Sequence, residues 1–176
     1  MASAFGHALV AYTIGKSFSK TIFSKKFWII CVVLSILPDA DVLSFKFGIP
    51  YESFWGHRGF THSLVFAFLI SAIVMFVFYW KINWQLRTWW TIFLCFFIST
   101  SSHGLLDAMT DGGRGVAFFS PFDNSRYFLP WRPIRISPVG ASKFFSDWGL
   151  QVIKSELVWI ALPCVAYLSA IKIFRK

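Results

Sequence analysis

The chain has 176 residues, of which 56% are hydrophobic and only 14% are charged, and its formal net charge at pH 7 is +9. Soluble domains carry about 25% charged residues, so this composition excludes an ordinary water-soluble protein and indicates a surface that largely faces lipid. In a membrane protein the excess of positive charge is typical of basic loops that set topology, and no nucleic-acid partner is expected.

Five apolar segments follow one another along the chain. The first two, 4–15 and 27–37, are too short to cross a bilayer at 1.5 Å per residue unless flanking residues extend them. Segments 63–80, 88–106 and 157–174 each approach the length of about 20 residues that a spanning helix needs, and Pro163 is expected to kink the last one. The sequence therefore predicts an all-α, membrane-embedded helical bundle with about three to five membrane helices.

Residues 112–150 have a different composition, with many glycines, prolines, arginines and aromatic residues. Such a density of helix breakers predicts a loop, and the aromatic content argues against disorder. We therefore expect a long, ordered surface loop, called the flap, within a single domain that comprises residues 1–176.

The basic residues predict the orientation in the membrane. Nine of them lie in short connections or near the C-terminus: Lys16, Lys20, Lys25, Lys26, Lys81, Arg87, Lys172, Arg175 and Lys176. The other eight are spread over two long segments, where charge has less influence on topology. We expect the short connections to be cytoplasmic and the long segments to be extracytoplasmic.

The polar residues of the apolar regions are expected to converge. If successive helices alternate in direction, all four histidines and three aspartates reach the same end of the bundle: His7, Asp39, Asp41, His57, His62, His103 and Asp107. Ionisable groups at membrane depth are costly and usually functional. His103 and Asp107 are four residues apart on a helix, so they share a face, and Asp111 is expected one turn further on.

Imidazoles and carboxylates in such a group suit zinc, manganese or iron. The three cysteines lie in separate apolar runs without the spacing of a thiolate site, so they are not expected to bind metal. Other interpretations stay open for single residues. Asp39 or Asp41 would also fit a helix cap, and His7 would also fit a buried histidine bonded to a carbonyl group. Arg58 would also fit an ion pair with a neighbouring acid or a lipid phosphate. Because His57 and His62 do not share a helix face, one is expected to bind the ion and the other to orient a ligand or transfer protons.

The ordered motifs resemble a known family. An early histidine, LPDAD, HRGFTHS, HGLLD and a loop containing PF resemble the bacterial inner-membrane metal-dependent hydrolases, over a range from His7 to about Gly140. That family is in turn similar to zinc-dependent phospholipase C. The resemblance implies one or two divalent ions, with zinc favoured, and Asp107 as the bridge between two ions. The metal ligands that it implies are His7, Asp39, His62, His103 and Asp107.

The resemblance also implies an activity. We expect a multi-pass protein of the bacterial inner membrane that cleaves a phosphoester, in a membrane lipid or another anionic phosphate-containing substrate, at the membrane surface. Asp41, His57 and Asp111 are the expected general base or orienting groups. Five arginines are expected to bind the substrate: Arg58, Arg114, Arg126, Arg132 and Arg135.

Two other functions are compatible with parts of the pattern. A non-enzymatic metal-binding or transport protein would also use intramembrane ionisable groups, although transporters place them nearer the midplane. A di-iron membrane oxygenase would need more clustered histidines than the chain has. The oligomeric state cannot be predicted.

Overall fold

The computed structural model describes residues 1–18, 24–138 and 144–174. These residues form five main helices: α1 (Ala4–Phe18), α2 (Lys25–Ile36), α3 (Leu64–Phe78), α4 (Arg87–Ala108) and α5 (Asp147–Phe174). Within the described ranges there is no β-strand, only two isolated bridges that join Thr110 to Ile134 and Val116 to Tyr127. The prediction of an all-α bundle is confirmed.

The second membrane segment extends beyond the apolar run 27–37 from which it was predicted. Ser24 caps α2 by accepting a hydrogen bond from the backbone of Phe27. At Pro38 the missing N–H group and the restricted backbone interrupt the α-helix, and the chain continues as 3₁₀ turns over Leu37–Phe47. Gly48, whose φ of 68° suits glycine, ends these turns. Together, α2 and these turns extend over Lys25–Phe47, which is 23 residues long and apolar enough to cross a membrane.

The other membrane segments differ in length from the prediction. By length and composition, Arg87–Ala108 and Asp147–Phe174 qualify as spans, whereas Leu64–Phe78 is shorter than the 63–80 predicted. The Ser63 side chain caps the start of α3, and Tyr79 ends it. In α5, a π-helical stretch at Leu157–Ala161 lies just before Pro163, where the wider turn accommodates the proline ring.

The flap is shorter than predicted, because α5 already begins at Asp147. Residues 112–138 form turns and isolated bridges, while residues 139–143, including Gly140, lie outside the described ranges. The polar Ser146–Asp147 pair starts the helix earlier than the hydrophobic run at 157 indicates.

Helix packing places the basic residues of the short connections and the histidines at opposite ends of the bundle. The N-terminal half of the bundle packs α1, α2, α3 and α4 around a core that includes Phe27, Met75 and Phe96. Lys26 donates a hydrogen bond to the carbonyl of Phe78 at 2.6 Å, so the start of α2 and the end of α3 share one end of the bundle. Along α4, Arg87 lies about 24 Å from His103 at the usual helical rise.

The described basic residues of the short connections therefore lie at the end opposite the histidines. Lys20, Arg175 and Lys176 lie outside the described residues. Helices that alternate in direction thus bring the start of α1, the connection between α2 and α3, and the end of α4 to one level.

Candidate metal centre

Four side chains from three separate elements point their ligand atoms at one another. Asp39 comes from the 3₁₀ turns after α2, His62 from a short turn before α3, and His103 and Asp107 from the last turns of α4. Their four ligand atoms all lie within 4.8 Å of one another. We call these four residues the metal cluster.

The separations fit a single small cation. The Nε2 atoms of His62 and His103 are 3.1 Å apart, and Asp39 Oδ1 lies 3.3 Å from the Nε2 of His103 and 3.6 Å from that of His62. Asp107 Oδ2 lies 3.6 Å from the Nε2 of His62. Tetrahedral zinc with bonds of about 2.0–2.1 Å requires ligand atoms roughly 3.3 Å apart. The donor set and its spacing therefore fit a zinc-sized ion.

The histidine rings are oriented by groups behind them. His103 Nδ1 is 2.7 Å from the carbonyl oxygen of Ser35, to which it donates. His62 Nδ1 lies 3.1 Å from Asp41 Oδ2. Hydrogen bonds of this kind fix the tautomer and leave Nε2 free to bind a metal.

Asp41 and His57 form a second layer beside the metal cluster. Asp41 accepts hydrogen bonds from the Arg58 backbone at 3.0 Å and the Thr61 hydroxyl at 2.6 Å. His57 Nδ1 lies 2.6 Å from the other carboxylate oxygen of Asp41. Although Asp39, Asp41, His57 and His62 also form a group close enough to hold an ion, Asp41 is already engaged by these donors. Asp41 therefore orients two histidines.

His7 lies next to the metal cluster but outside the four-atom group. Its ring stacks on that of His103 with a centroid distance of 3.8 Å, and its Nε2 is 3.5 Å from Asp107 Oδ1. Within the described part of the chain, both nitrogens of His7 and both carboxylate oxygens of Asp39 are buried without a hydrogen-bond partner. Buried polar atoms are normally satisfied, so this concentration indicates atoms arranged to bind a ligand.

Arg58 was expected to bind substrate phosphate, but the structure places it in the protein interior. Its side chain is fully buried, and Nε lies 3.0 Å from Asp107 Oδ2. The guanidinium also donates to the Thr110 hydroxyl and to the Gly112 carbonyl. The backbone of Arg58 has a φ of 63°, which is uncommon for a non-glycine residue. Arg58 thus contacts Asp107 and is shielded from solvent.

Asp111 also differs from its predicted position. The α4 helix ends at Ala108, where the Thr110 hydroxyl donates to the Asp107 carbonyl, so the helical spacing no longer applies at Asp111. Its carboxylate instead accepts hydrogen bonds from the Arg135 side chain and the Ile136 backbone, both at 2.8 Å. Asp111 is therefore part of a surface ion pair.

The remaining flap arginines have protein partners. Arg114 pairs with Glu52, and the Arg132 guanidinium lies over the ring of Phe128. Arg126 donates to the carbonyl oxygens of His57 and Tyr51 at 2.8 and 2.7 Å. Arg126 thereby joins the flap to the loop before His62.

The electrostatic balance of the site favours a bound cation. Burial alone would lower the pKa of His62, but its contacts with Asp107, Asp39 and Asp41 outweigh burial and raise the pKa to about 10. The three aspartates at this site outnumber the single guanidinium of Arg58, so the contacts of His62 favour a proton on its ring. A divalent ion would displace this proton and offset the negative charge of the aspartates.

Comparison with known proteins agrees with the membrane location. The model of the family described as YdjM inner membrane protein matches residues 1–176. The chain belongs to the YdjM family. It is also 42% identical over 164 residues to the inner membrane protein YbcI of Escherichia coli (strain K12). The aligned region covers 93% of this chain and 92% of that protein. No solved structure matches it. The resemblance to an inner-membrane family is thus confirmed, whereas neither description mentions a metal or hydrolysis.

In this YdjM-family chain, the close approach of the His62 turn to α4 depends on Gly104. A Cβ atom at this position would lie 2.9 Å from the carbonyl oxygen of His62 and 3.2 Å from the ring of Phe118. The absence of a side chain lets the His62 turn pack directly on α4.

We therefore expect Gly104→Ala to push His62 away from His103 and to weaken zinc binding by roughly tenfold, comparable with loss of a group that orients a ligand. Zinc titration of the purified variant measures the change. Leu105→Ala, at an exposed neighbouring position, is the control and should bind zinc normally. Equal affinities for the two variants would contradict the role given to Gly104.

Several residues that shape the site were not predicted from the sequence. The Ser35 carbonyl leaves no side-chain signal, whereas Thr61 belongs to the HRGFTHS motif and could have been recognised there. Glu156 was also missed, although a buried glutamate in an apolar helix is unusual. Its carboxylate accepts hydrogen bonds from the backbone and hydroxyl of Ser3, at the start of the helix that carries His7.

Proposed function

We propose that this protein is a membrane-bound, metal-dependent hydrolase that cleaves a phosphoester in a lipid or another anionic substrate. The observation that carries the proposal is the set of four buried, converging ligand atoms of Asp39, His62, His103 and Asp107. Their spacing fits a zinc-sized ion, and their chemistry also suits manganese or iron. A bound divalent cation would polarise a phosphoryl oxygen and make water more acidic.

The protein groups around the metal cluster have distinct proposed roles. His57, whose ring centroid lies 5.6 Å from that of His62, is held through Nδ1 by Asp41. A histidine oriented by a carboxylate is the usual arrangement of a general base. We assign proton transfer to His57 and its orientation to Asp41, while Arg58 holds Asp107 and offsets its charge.

A hydrolysis screen tests this proposal. Purified protein loaded with zinc, manganese or iron would be assayed for phosphate-ester cleavage against a panel of phospholipids and nucleotides. We expect cleavage of one substrate class by the wild-type protein, loss of both metal and activity in His103→Ala, and loss of activity alone in His57→Asn. Asp111→Asn, a carboxylate outside the metal cluster, should retain both.

A non-enzymatic metal-binding role is the second candidate. It is favoured by the complete burial of the His62, His103 and Asp107 side chains, because closed sites are typical of structural ions. Metal-loaded wild-type protein that cleaves no member of the panel would support this role and contradict the hydrolase proposal.

We further propose that the metal cluster lies on the extracytoplasmic side of the inner membrane, because the basic short connections lie at the opposite end. In a variant without native cysteines, Ser125→Cys in the flap should react with a membrane-impermeant thiol reagent in intact cells. Gln85→Cys, which is exposed at the basic end, should react only after the membrane is permeabilised. The reverse labelling pattern would show an inverted topology.

A further inference from the structure

Asp39 is the one member of the metal cluster with exposed side-chain atoms. The side chains of His7, His62, His103 and Asp107 are 0% exposed, whereas that of Asp39 is 7% exposed, although both of its carboxylate oxygens are buried. Asp39 is therefore the ligand that lies nearest the protein surface.

Asp39 also lines an apolar groove on α2 and the following 3₁₀ turns. The groove has a volume of about 450 Å³. Its lining consists of Val32, Val33, Ile36, Leu37, Asp39 and Ala40. The side chains other than Asp39 are hydrocarbon, and both carboxylate oxygens of Asp39 are buried.

The groove opens within the surface that faces lipid. Exposed apolar side chains occur before Asp39, at Ile29 and Val33, and after it, at Leu43 and Phe47. At the 3₁₀ rise of about 2 Å per residue, Leu43 and Phe47 lie roughly 8 and 16 Å beyond Asp39. The apolar surface therefore extends past Asp39 in both directions, and acyl chains border the groove in a membrane.

The flap side of the site is closed. His57 is buried, and its ring packs edge-on against Tyr51 with a centroid distance of 5.4 Å. The Arg126 guanidinium joins the carbonyl groups of both residues. Access from this side would require breaking the partly buried, charge-assisted hydrogen bonds of Arg126, whereas access from the groove would require a movement of the Asp39 side chain.

We propose that the groove binds an acyl chain of a phospholipid, which enters laterally from the bilayer and brings its headgroup phosphate to the metal cluster. This inference rests on the proposed function and narrows the substrate class to lipids with a phosphate headgroup. Hydrocarbon lines the groove, and a divalent cation bound by Asp39 and the rest of the metal cluster would attract the phosphate.

Photo-crosslinking tests binding independently of catalysis. Metal-loaded protein in dodecyl maltoside micelles, which contain no phosphate, would receive a trace of phosphatidic acid with a diazirine in its acyl chain. We expect crosslinks at residues 32–40 that are lost when unlabelled phosphatidic acid is added in excess and persist when diacylglycerol is added instead. Crosslinks on the outer face of α3, near Ile73 and Phe76, should be insensitive to both.

Two tryptophan variants provide matched controls. Val33→Trp should fill the groove and lose the competed crosslink, whereas Ile29→Trp, one turn earlier on the same exposed face, should retain it. Both variants should keep their metal, because neither residue belongs to the metal cluster.

The outcomes separate this inference from the proposed function. Crosslinks at 32–40 that respond to competitors no differently from those on α3 would overturn the groove proposal, even if the protein hydrolyses phosphoesters. Specific crosslinks in a protein that hydrolyses nothing would support the groove as a lipid-binding site and overturn the hydrolase proposal.

Discussion

Asp39→Asn is expected to lower the zinc affinity of the protein by at least about 100-fold, more than the loss of a group that only orients a ligand. Asp39 contributes a charged oxygen 3.3 Å from the Nε2 of His103. Asparagine has nearly the same shape but no negative charge, so the helices should still pack normally. Titration with zinc in the presence of a competing chelator measures the affinity.

Asp111→Asn is the matched control, because it removes the same charge from a surface carboxylate that pairs with Arg135. It should bind zinc like the wild-type protein. Unchanged affinity in Asp39→Asn would remove Asp39 from the ligand set, and a similar loss in both variants would show a general effect of charge.

Arg58→Met is expected to destabilise the metal-free protein by about 3–5 kcal/mol, because it leaves the buried carboxylate of Asp107 without its charge partner. Methionine retains much of the length of the side chain, so the loss would come mainly from the missing charge. Bound zinc should reduce the effect, since a divalent cation would offset the charge of Asp107. Thermal and denaturant unfolding in detergent, with and without zinc, measure both values.

The control is Arg135→Met, which breaks the exposed pair with Asp111. Exposed ion pairs contribute about 0–1 kcal/mol, so this variant should unfold almost like the wild-type protein. If Arg58→Met were no more destabilising than Arg135→Met, then Arg58 would not hold Asp107 as the structure indicates.

Much of the metal cluster could be predicted from the sequence, because the positions of its residues follow from the helical repeat and from the alternating direction of the helices. His103 and Asp107 share a helix face whenever α4 is helical, and alternation of the helices brings Asp39 and His62 to the same level. These relations need no knowledge of individual contacts. His7 was placed near the same level by the same reasoning, and it lies against Asp107.

The remaining features depend on local backbone geometry that the pattern does not reveal. The 3₁₀ turns after Pro38 carry Asp39 and lengthen the membrane segment, whereas the apolar run predicts an end near residue 37. Arg58 turns inward through an uncommon positive φ, although an arginine beside a polar motif suggests a substrate contact. Asp111 follows the helix end set by Thr110, so the helical spacing from Asp107 does not apply to it.

The metal content of the purified wild-type protein tests the central claim most directly. Elemental analysis should find about one divalent ion per chain, bound by the four converging ligand atoms of the metal cluster. X-ray absorption should show nitrogen and oxygen neighbours, including imidazole, and no sulfur, since Cys31 and Cys95 lie in the apolar core and Cys164 is buried against α5 and α1. A protein that binds no divalent metal even when it is supplied, or that binds it through sulfur, would contradict the account.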